Sequence, residues 1–259
     1  MTLSNLFEQF PQLHALSECF EVHSDSQKLP KQYPDRCHLL PMSDAALIGV
    51  ALGMALDGKF PIVQLSGPEA LWDILPQLHQ EVGTAPQFSN GMIIRIPCNS
   101  TEIAWDLFPK SIPVWCSNNL AQSMDIICKN IQSSVPVILL ESALGSSTQS
   151  TEYTKYAGEH LTLIGPNHIE NVLLDIQAYW QTQNVSIEVI VLHQINQIAS
   201  GITDSVYKTG RVVIVDNQPN ILESIIQKAF WRLESQPSLI SSTDSEPTAI
   251  HQAIQNCLE

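Results

Sequence analysis

The sequence predicts an α/β protein in which parallel sheets and crossover helices form two domains. Apolar runs of strand length alternate along the chain with longer amphipathic segments, and this alternation is typical of βαβ units. The segment Ser142 to Gly158 is instead rich in Ser, Thr, Gly and Gln and cannot bury a core. It is therefore predicted to be a linker, with one domain at 1–145 and a second at 159–259.

The first domain is expected to contain five strands, each an apolar run bounded by turn-forming residues. They are predicted at Cys19 to Val22, Pro61 to Leu65, Gly91 to Ile96, Ile112 to Cys116 and Val135 to Glu141. Helices are predicted between them at Ser43 to Leu56, Pro68 to Val82 and Asn119 to Gln132. The first helix opens on a serine that can cap it, followed by an acidic residue in its first turn.

The second domain shows the same alternation after the linker. Strands are predicted at Leu161 to Ile164, Ile187 to Leu192 and Arg211 to Val215. Helices are predicted at Asn167 to Gln181, Ile221 to Leu233 and Pro247 to Leu258. Because parallel neighbours need a crossover connection, this order indicates a second parallel sheet with helices packed on it.

Charge and composition exclude two classes of partner. The chain carries 26 Asp and Glu residues against 12 Lys and Arg, a formal net charge of −14 at pH 7. Such a chain repels phosphate backbones and anionic membrane surfaces, so neither nucleic acid nor a membrane is expected as a partner. With 44% apolar and only 15% charged residues, the sequence predicts a soluble folded protein with substantial cores.

The cysteines and the N-terminus indicate a cytoplasmic location. Six cysteines are scattered along the chain, with no C-x-x-C pair and no His/Cys cluster at zinc-ligand spacing. The N-terminal residues lack the cationic start and apolar run of a signal peptide, and no apolar stretch is long enough to cross a bilayer. We therefore expect a cytoplasmic protein with reduced thiols and no bound metal.

Several motifs occur in the same order as in one enzyme family. In the segment Leu40 to Gln64, Asp44 stands at the start of a small-residue helix that leads into an apolar strand. Further pieces match the family pattern at Tyr33 to Cys37, Met92 to Pro97, Val135 to Glu141, Ile187 to Leu192 and Tyr207 to Val215. The sequence resembles transketolase-like thiamine diphosphate enzymes, and within them the β subunit of the decarboxylating component of pyruvate, branched-chain 2-oxoacid and acetoin dehydrogenases.

This resemblance implies a specific fold and site. The fold would be a pyrimidine-binding-type parallel-sheet domain followed by a transketolase C-terminal-type α/β domain. In the family, a glutamate at the position of Asp44 hydrogen-bonds the aminopyrimidine ring of thiamine diphosphate and so helps to create the nucleophile. The resemblance therefore makes Asp44 the catalytic and cofactor-binding residue, and places Ser66, Gly67 and Ala70 facing the ring.

The resemblance also implies partners. The family's diphosphate and magnesium motif, Gly-Asp-Gly followed by Asn-Asn, is absent from this chain and belongs to an α-type subunit. An α-type partner that holds the diphosphate and magnesium is therefore expected, or self-association as a homodimer. Gly49 and Gly53 stand one helical turn apart, which suits close packing of their helix against a neighbour.

The sequence departs from the family pattern where the chemistry would occur. Asp44 is shorter than the family glutamate by one methylene, about 1.5 Å of reach. Gly67 and Ala70 replace aromatic residues that pack on the pyrimidine, a contact worth about 1 kcal/mol each. The family's substrate-side histidine is missing from the stretch Cys98 to Pro109.

Three functions therefore remain open. The first is a β-type subunit of a 2-oxoacid decarboxylating enzyme. The second is a catalytically degenerate homologue that is kept as a structural or regulatory dimerisation subunit. The third is an unrelated small-molecule-binding module on the same fold. Individual residues also have structural alternatives. The helix dipole favours Asp44 in a first turn whatever the function, and Ser66-Gly67-Pro68 has the composition of an ordinary turn before a helix.

Overall fold

A computed structural model describes residues 2–21, 24–40, 43–82, 90–98, 108–142, 152–195, 199–216, 219–241 and 246–259. Within these ranges, residues up to 142 form one compact α/β unit and residues from 152 form a second. Each unit has its own sheet with helices packed on it, so the predicted α/β class is confirmed. The domain limits at 145 and 159 stay predictions, because 143–151 lie outside the described residues.

Six strands and five helices are described in the first unit. The strands are β1 (Leu13–Ser17), β2 (Cys37–Leu39), β3 (Phe60–Gln64), β4 (Ile93–Pro97), β5 (Val114–Ser117) and β6 (Val137–Glu141). The helices are α1 (Leu3–Gln9), α2 (Leu29–Gln32), α3 (Asp44–Leu56), α4 (Ala70–Gln77) and α5 (Leu120–Asn130). A π-helical turn at Leu78–Val82 extends α4, so the predicted single helix over Pro68 to Val82 is in fact two pieces.

The first sheet is parallel throughout, in the order β2-β1-β3-β4-β6-β5. The chain moves outward from β1 to β2 and then returns through α3 to β3, on the other side of β1. The connection after β1 therefore leads to one side of the sheet and the connection after β2 leads back to the other side. The strand order reverses between β1 and β3, and this position is the switch point of the sheet. In open α/β sheets, ligands bind outside the carboxyl ends of the strands at such a switch point.

Five strands and four helices are described in the second unit. The strands are β7 (Tyr153–Tyr156), β8 (Leu161–Pro166), β9 (Ile187–Leu192), β10 (Val212–Val215) and β11 (Ser238–Ile240). The helices are α6 (Glu170–Thr182), α7 (Ser200–Thr209), α8 (Pro219–Ala229) and α9 (Pro247–Leu258). The sheet order is β11-β10-β8-β9-β7, parallel except for β7.

Two sequence predictions are wrong at particular elements. The strand predicted at Cys19 to Val22 is a turn where it is described, and the strand of this region is β1, paired residue by residue with β3. The predicted linker contains β7, a four-residue strand on the edge of the second sheet. Its sequence, Tyr-Thr-Lys-Tyr, is polar because an edge strand is only partly buried, so its apolar signal is weak.

No helix in the described ranges combines the length and the apolar character that crossing a bilayer requires. All six cysteines are free thiols. The cytoplasmic location inferred from the sequence stays a prediction.

A buried ion cluster joins the carboxyl ends of the central strands in the first unit. Arg95 of β4 is 1% exposed. Its Nε and Nη2 donate to the Glu141 carboxylate at 3.0 and 2.9 Å, and its Nη1 and Nη2 donate to the Asp25 carboxylate at 3.0 and 3.2 Å. Glu141 ends β6, whereas Asp25 belongs to the loop that follows β1. One guanidinium therefore holds two strand ends and a loop together.

We predict that Arg95→Met destabilises the fold by about 3–5 kcal/mol, because two carboxylates are left buried without their cation. Urea denaturation measures the change. Lys129→Met is the control, since it removes an exposed ammonium that pairs with Asp125 at 3.2 Å, and such helical pairs contribute only about 0.3–0.5 kcal/mol. Equal losses in the two variants would contradict the prediction.

Candidate functional site

The predicted site residues gather around the switch point between β1 and β3. Asp44 is the first residue of α3, the helix that crosses from β2 to β3. Ser66 and Gly67 follow β3 directly, and Ala70 begins α4. Ser66 is exposed, whereas Gly67 and Ala70 are buried. Asp44 therefore follows the carboxyl end of β2, whereas Ser66, Gly67 and Ala70 follow the carboxyl end of β3.

The start of α3 explains the position of Asp44. The Ser43 hydroxyl accepts a hydrogen bond from the backbone N–H of Ala46 at 3.4 Å and so caps the helix. Asp44 is half-buried in the first turn, and its Oδ1 atom is inaccessible to solvent. That oxygen makes no hydrogen bond to the described chain. Asp44 thus presents a buried acceptor with no internal partner.

The surroundings of Asp44 are strongly acidic. Burial raises the pKa of Asp44 above its usual value of 3.8. The negative charges of three further residues raise it in addition: Glu18, Asp73 and Glu69. Glu18 follows β1, whereas Glu69 and Asp73 follow β3, so the carboxylates come from both sides of the switch point.

This acidic setting limits what the site can do. A carboxyl group with a raised pKa binds its proton more tightly than a free carboxyl group does, which suits a hydrogen bond to a ring nitrogen. The same negative charge attracts cationic groups and repels phosphate. Within the described ranges, no three His, Cys, Asp or Glu side chains are arranged to hold a metal ion.

Glu69 occupies the space above Gly67. A Cβ atom added to Gly67 would overlap with the Glu69 carboxylate. The position where the family carries an aromatic wall is therefore covered by an exposed, flexible acidic side chain, and Ala70 adds only a buried methyl group. The stretch 99–107, where the sequence lacks the family histidine, lies outside the described residues.

Sequence reasoning missed four residues of this region. Glu18, Glu69 and Asp73 carry no recognisable motif, and only their shared proximity to Asp44 singles them out. Gln64 was treated as part of an apolar strand, yet it is 1% exposed and both of its side-chain polar atoms are unpaired among the described residues. A primary amide at the last position of an otherwise apolar strand was the signal that could have identified it.

Asp44→Asn is predicted to stabilise the protein at neutral pH. A carboxyl group whose pKa is raised on folding holds its proton more tightly in the native state, so stability falls as pH rises from 3.8 through the raised pKa. Asn cannot ionise and avoids this loss. The melting temperature of Asp44→Asn should exceed that of the wild type at pH 7, and the difference should shrink towards pH 4.

The opposite sign at pH 7 would contradict this prediction. A lower melting temperature for Asp44→Asn would mean that the favourable interaction of the carboxylate with the α3 dipole outweighs burial and repulsion. Calorimetry across this pH range decides between the two.

Comparison with known proteins identifies the fold. No protein-family model matches the sequence. A structure described as a split-gene transketolase, inactive beta4 tetramer, is similar over 98% of this chain and 94% of that chain, with 14% identity and a TM-score of 0.80. A 2-oxoglutarate:ferredoxin oxidoreductase from Magnetococcus marinus, solved with 2-oxoglutarate, coenzyme A and succinyl-CoA bound, is similar over 95% of this chain and 62% of that chain, with 9% identity and a TM-score of 0.62. At these identities the likeness concerns the fold alone, and the chain has a transketolase-type fold.

Proposed function

We propose that the chain is a β-type subunit of a transketolase-like thiamine diphosphate enzyme and supplies the pyrimidine half of an inter-subunit site. One observation carries the proposal: Asp44, the residue that matches the family's activating acid, stands at the switch point with a buried Oδ1 that has no partner in the described chain. Buried polar atoms in native proteins nearly always have a partner, so this oxygen fits a ligand N–H.

The residues around Asp44 fit one end of the cofactor. A carboxyl group with a raised pKa suits a hydrogen bond to an aminopyrimidine nitrogen. When bound, thiamine diphosphate would supply a nucleophilic carbon to the site. The proposed role of this chain is to hold the ring edge through a hydrogen bond to Asp44. The implied reaction class is 2-oxoacid decarboxylation with transfer of the two-carbon or acyl unit.

The same residues do not fit the diphosphate. The three residues whose charges act on Asp44 are all acidic, and their negative charge repels a phosphate group. The sequence also lacks Gly-Asp-Gly and Asn-Asn. We infer that an α-type partner carries the diphosphate and magnesium, and that the complete site forms only between two polypeptides.

A catalytically degenerate subunit is the second candidate, and one specific observation favours it. The space above Gly67, where a ring would pack, is covered by the Glu69 carboxylate. With the shorter acid at Asp44, this arrangement suits a structural or regulatory dimerisation subunit. The similar split-gene transketolase structure is itself described as an inactive tetramer of β subunits.

The outer face of α3 suits a second subunit. From Ala45 to Leu56 the helix carries no charged residue, yet Val50 is 38% exposed and Leu56 is 52% exposed. A helix that is apolar all round is normally buried. A Cβ atom on Gly53 meets no atom within 4 Å, so this face is open to a neighbour. We infer that it packs against an α-type partner or a second copy.

The isolated chain is predicted to show no thiamine diphosphate-dependent decarboxylation and only weak cofactor binding, with a Kd of roughly a millimolar. Asp44→Glu alone should not create activity, because the aromatic wall would still be missing. The assay combines the chain with its candidate α-type partner, thiamine diphosphate and magnesium, and measures carbon dioxide release from pyruvate and branched 2-oxoacids.

The outcomes of this assay separate the candidates. Turnover only in the mixture, lost in Asp44→Asn, supports the β-type subunit. A stable complex without turnover supports the degenerate subunit. Turnover by the isolated wild-type chain would contradict the inferred division of the site between two polypeptides.

Gly53→Arg is predicted to weaken self-association or partner binding without unfolding the chain. The new side chain has room in the monomer, and Arg favours a helix over Gly by roughly 0.8 kcal/mol. Ala121→Arg, on an exposed position of α5, adds the same charge elsewhere. Light scattering at micromolar concentration, with and without the partner, measures the change. A wild-type chain that stays monomeric and captures no partner would contradict the proposed interface.

A further inference from the structure

Two histidines on neighbouring strands share a hydrogen bond. The Nδ1 atom of His14 in β1 lies 3.0 Å from the Nε2 atom of His38 in β2. The two rings are nearly parallel, at 9°, and their centroids are 5.3 Å apart. This separation is close to the N···N distance plus the two ring radii, so the rings lie end to end in nearly one plane and do not stack. The contact is therefore a nearly linear hydrogen bond between ring nitrogens.

The same geometry excludes a metal ion between the two rings. Two collinear nitrogens that each bind one metal ion at about 2.0–2.1 Å must stand about 4 Å apart. The facing nitrogens of His14 and His38 are only 3.0 Å apart, which is a hydrogen-bond distance. These two nitrogens therefore share a proton.

The histidine pair links an edge strand to the rest of the sheet. Strand β2 has three residues, lies at the edge of the sheet and pairs with β1. Side chains alternate along a strand, so His14 and His38 lie on the sheet face opposite to Leu13, Ala15 and Cys37, which pack in the core with α1 and α5. A strand of three residues makes few main-chain hydrogen bonds, so a side-chain hydrogen bond adds appreciably to its attachment.

The charges that act on the pair are positive. Burial is the main cause that lowers the pKa of His14 to about 4, and the charges of His38, Lys59 and Arg36 lower it further. Burial and then the charge of Lys59 lower the pKa of His38. Arg36 belongs to the helical turn before β2, whereas Lys59 precedes β3 and pairs with the exposed Asp57 carboxylate at 3.0 Å. Both cations therefore disfavour protonation of the pair.

Protonation of both rings breaks this contact. When both rings are neutral, one nitrogen donates and the other accepts, and a single added proton leaves that bond in place. A second proton makes both facing nitrogens donors, and the two positive rings repel each other. Because the pKa of each ring is lower in the paired strands than the usual 6.5, the paired form loses stability as pH falls from 6.5 towards the lowered pKa.

We propose that the hydrogen bond between His14 and His38 is an acid-sensitive latch that holds β2 against β1. Acidification opens the latch and releases β2, while the central strands of the sheet stay paired. Release uncovers the outer edge of β1, whose main-chain groups can then pair with another strand. The latch does not depend on the proposed function, because it involves neither Asp44 nor a cofactor.

Amide hydrogen exchange of the full chain, followed by NMR from neutral pH down to about pH 4.5, tests the latch. The amide of Leu40 reports on β2, because it donates to the carbonyl oxygen of Ser17 at 3.1 Å. The amide of Leu65 is the control in the centre of the same sheet, because it donates to the carbonyl oxygen of Arg95 at 3.0 Å. Protection is measured against the intrinsic exchange rate at each pH. In the wild type, the protection of Leu40 should fall by about tenfold per pH unit for each histidine that takes up a proton on opening, whereas Leu65 should keep its protection.

Glutamine variants identify the groups that take up the protons. Glutamine keeps a donor and an acceptor but does not titrate. His14→Gln and His38→Gln should each reduce the pH dependence of Leu40 protection, and the double variant should abolish it. His160→Gln is the matched control in the second unit, where the His160 ring accepts a hydrogen bond from the backbone N–H of Ser186 at 2.8 Å. It should keep the wild-type pH dependence.

Three results would overturn the inference. The first is a protection of Leu40 in the wild type that does not change with pH. The second is an equal loss of protection at Leu40 and Leu65, which is global unfolding. The third is a double variant that keeps the wild-type pH dependence. The first two results come from the wild type alone, so they decide the question even if a variant does not fold.

Discussion

The Arg95 guanidinium is the interaction on which the candidate site depends. It is buried between the carboxylates of Glu141 and Asp25, and it joins the ends of two central strands to the loop after β1. That loop begins with Glu18, which faces Asp44. A buried ion pair is held in one geometry because every alternative leaves a charge uncompensated. Arg95 therefore anchors the loop after β1 at Asp25, although among the described residues Arg95 itself makes no hydrogen bond or ion pair with Glu18.

In the first unit, positive and negative side chains occupy different places at the carboxyl ends of the strands. A buried cation holds the carboxyl ends of the strands together, whereas the switch point itself carries several carboxylates and an amide with no partner in the described chain. These unpaired groups are unfavourable in the free chain. Natural proteins keep such groups mainly where a ligand or partner satisfies them. Under the proposed function, a ligand or another polypeptide pairs with these groups when the site is complete.

Local sequence patterns predicted the strongly apolar elements and missed the weakly apolar ones. The strand at Ile187–Leu192 and the helix at Pro247–Leu258 have the predicted bounds, because a buried strand and an amphipathic helix leave clear patterns. Strands β1, β2, β7 and β11 were missed. The polar His14 interrupts β1, β7 is a polar edge strand, and β2 and β11 are edge strands of three residues. Strands β1 and β7 are specified by pairing with the distant strands β3 and β9, and such pairing leaves no local pattern.

The sequence by itself determined the α/β class, the acidic character of the chain and the place of Asp44 at the start of a helix. These features follow from composition and from short-range periodicity, which each segment carries alone. The tertiary structure decided which carboxylates surround Asp44, that the Glu69 carboxylate lies against Gly67, and that the buried Gln64 amide has no partner in the part of the chain that is described. The reason is physical: burial, electrostatic coupling and hydrogen-bond satisfaction depend on which strands become neighbours, and strand order brings together residues that are far apart in the chain.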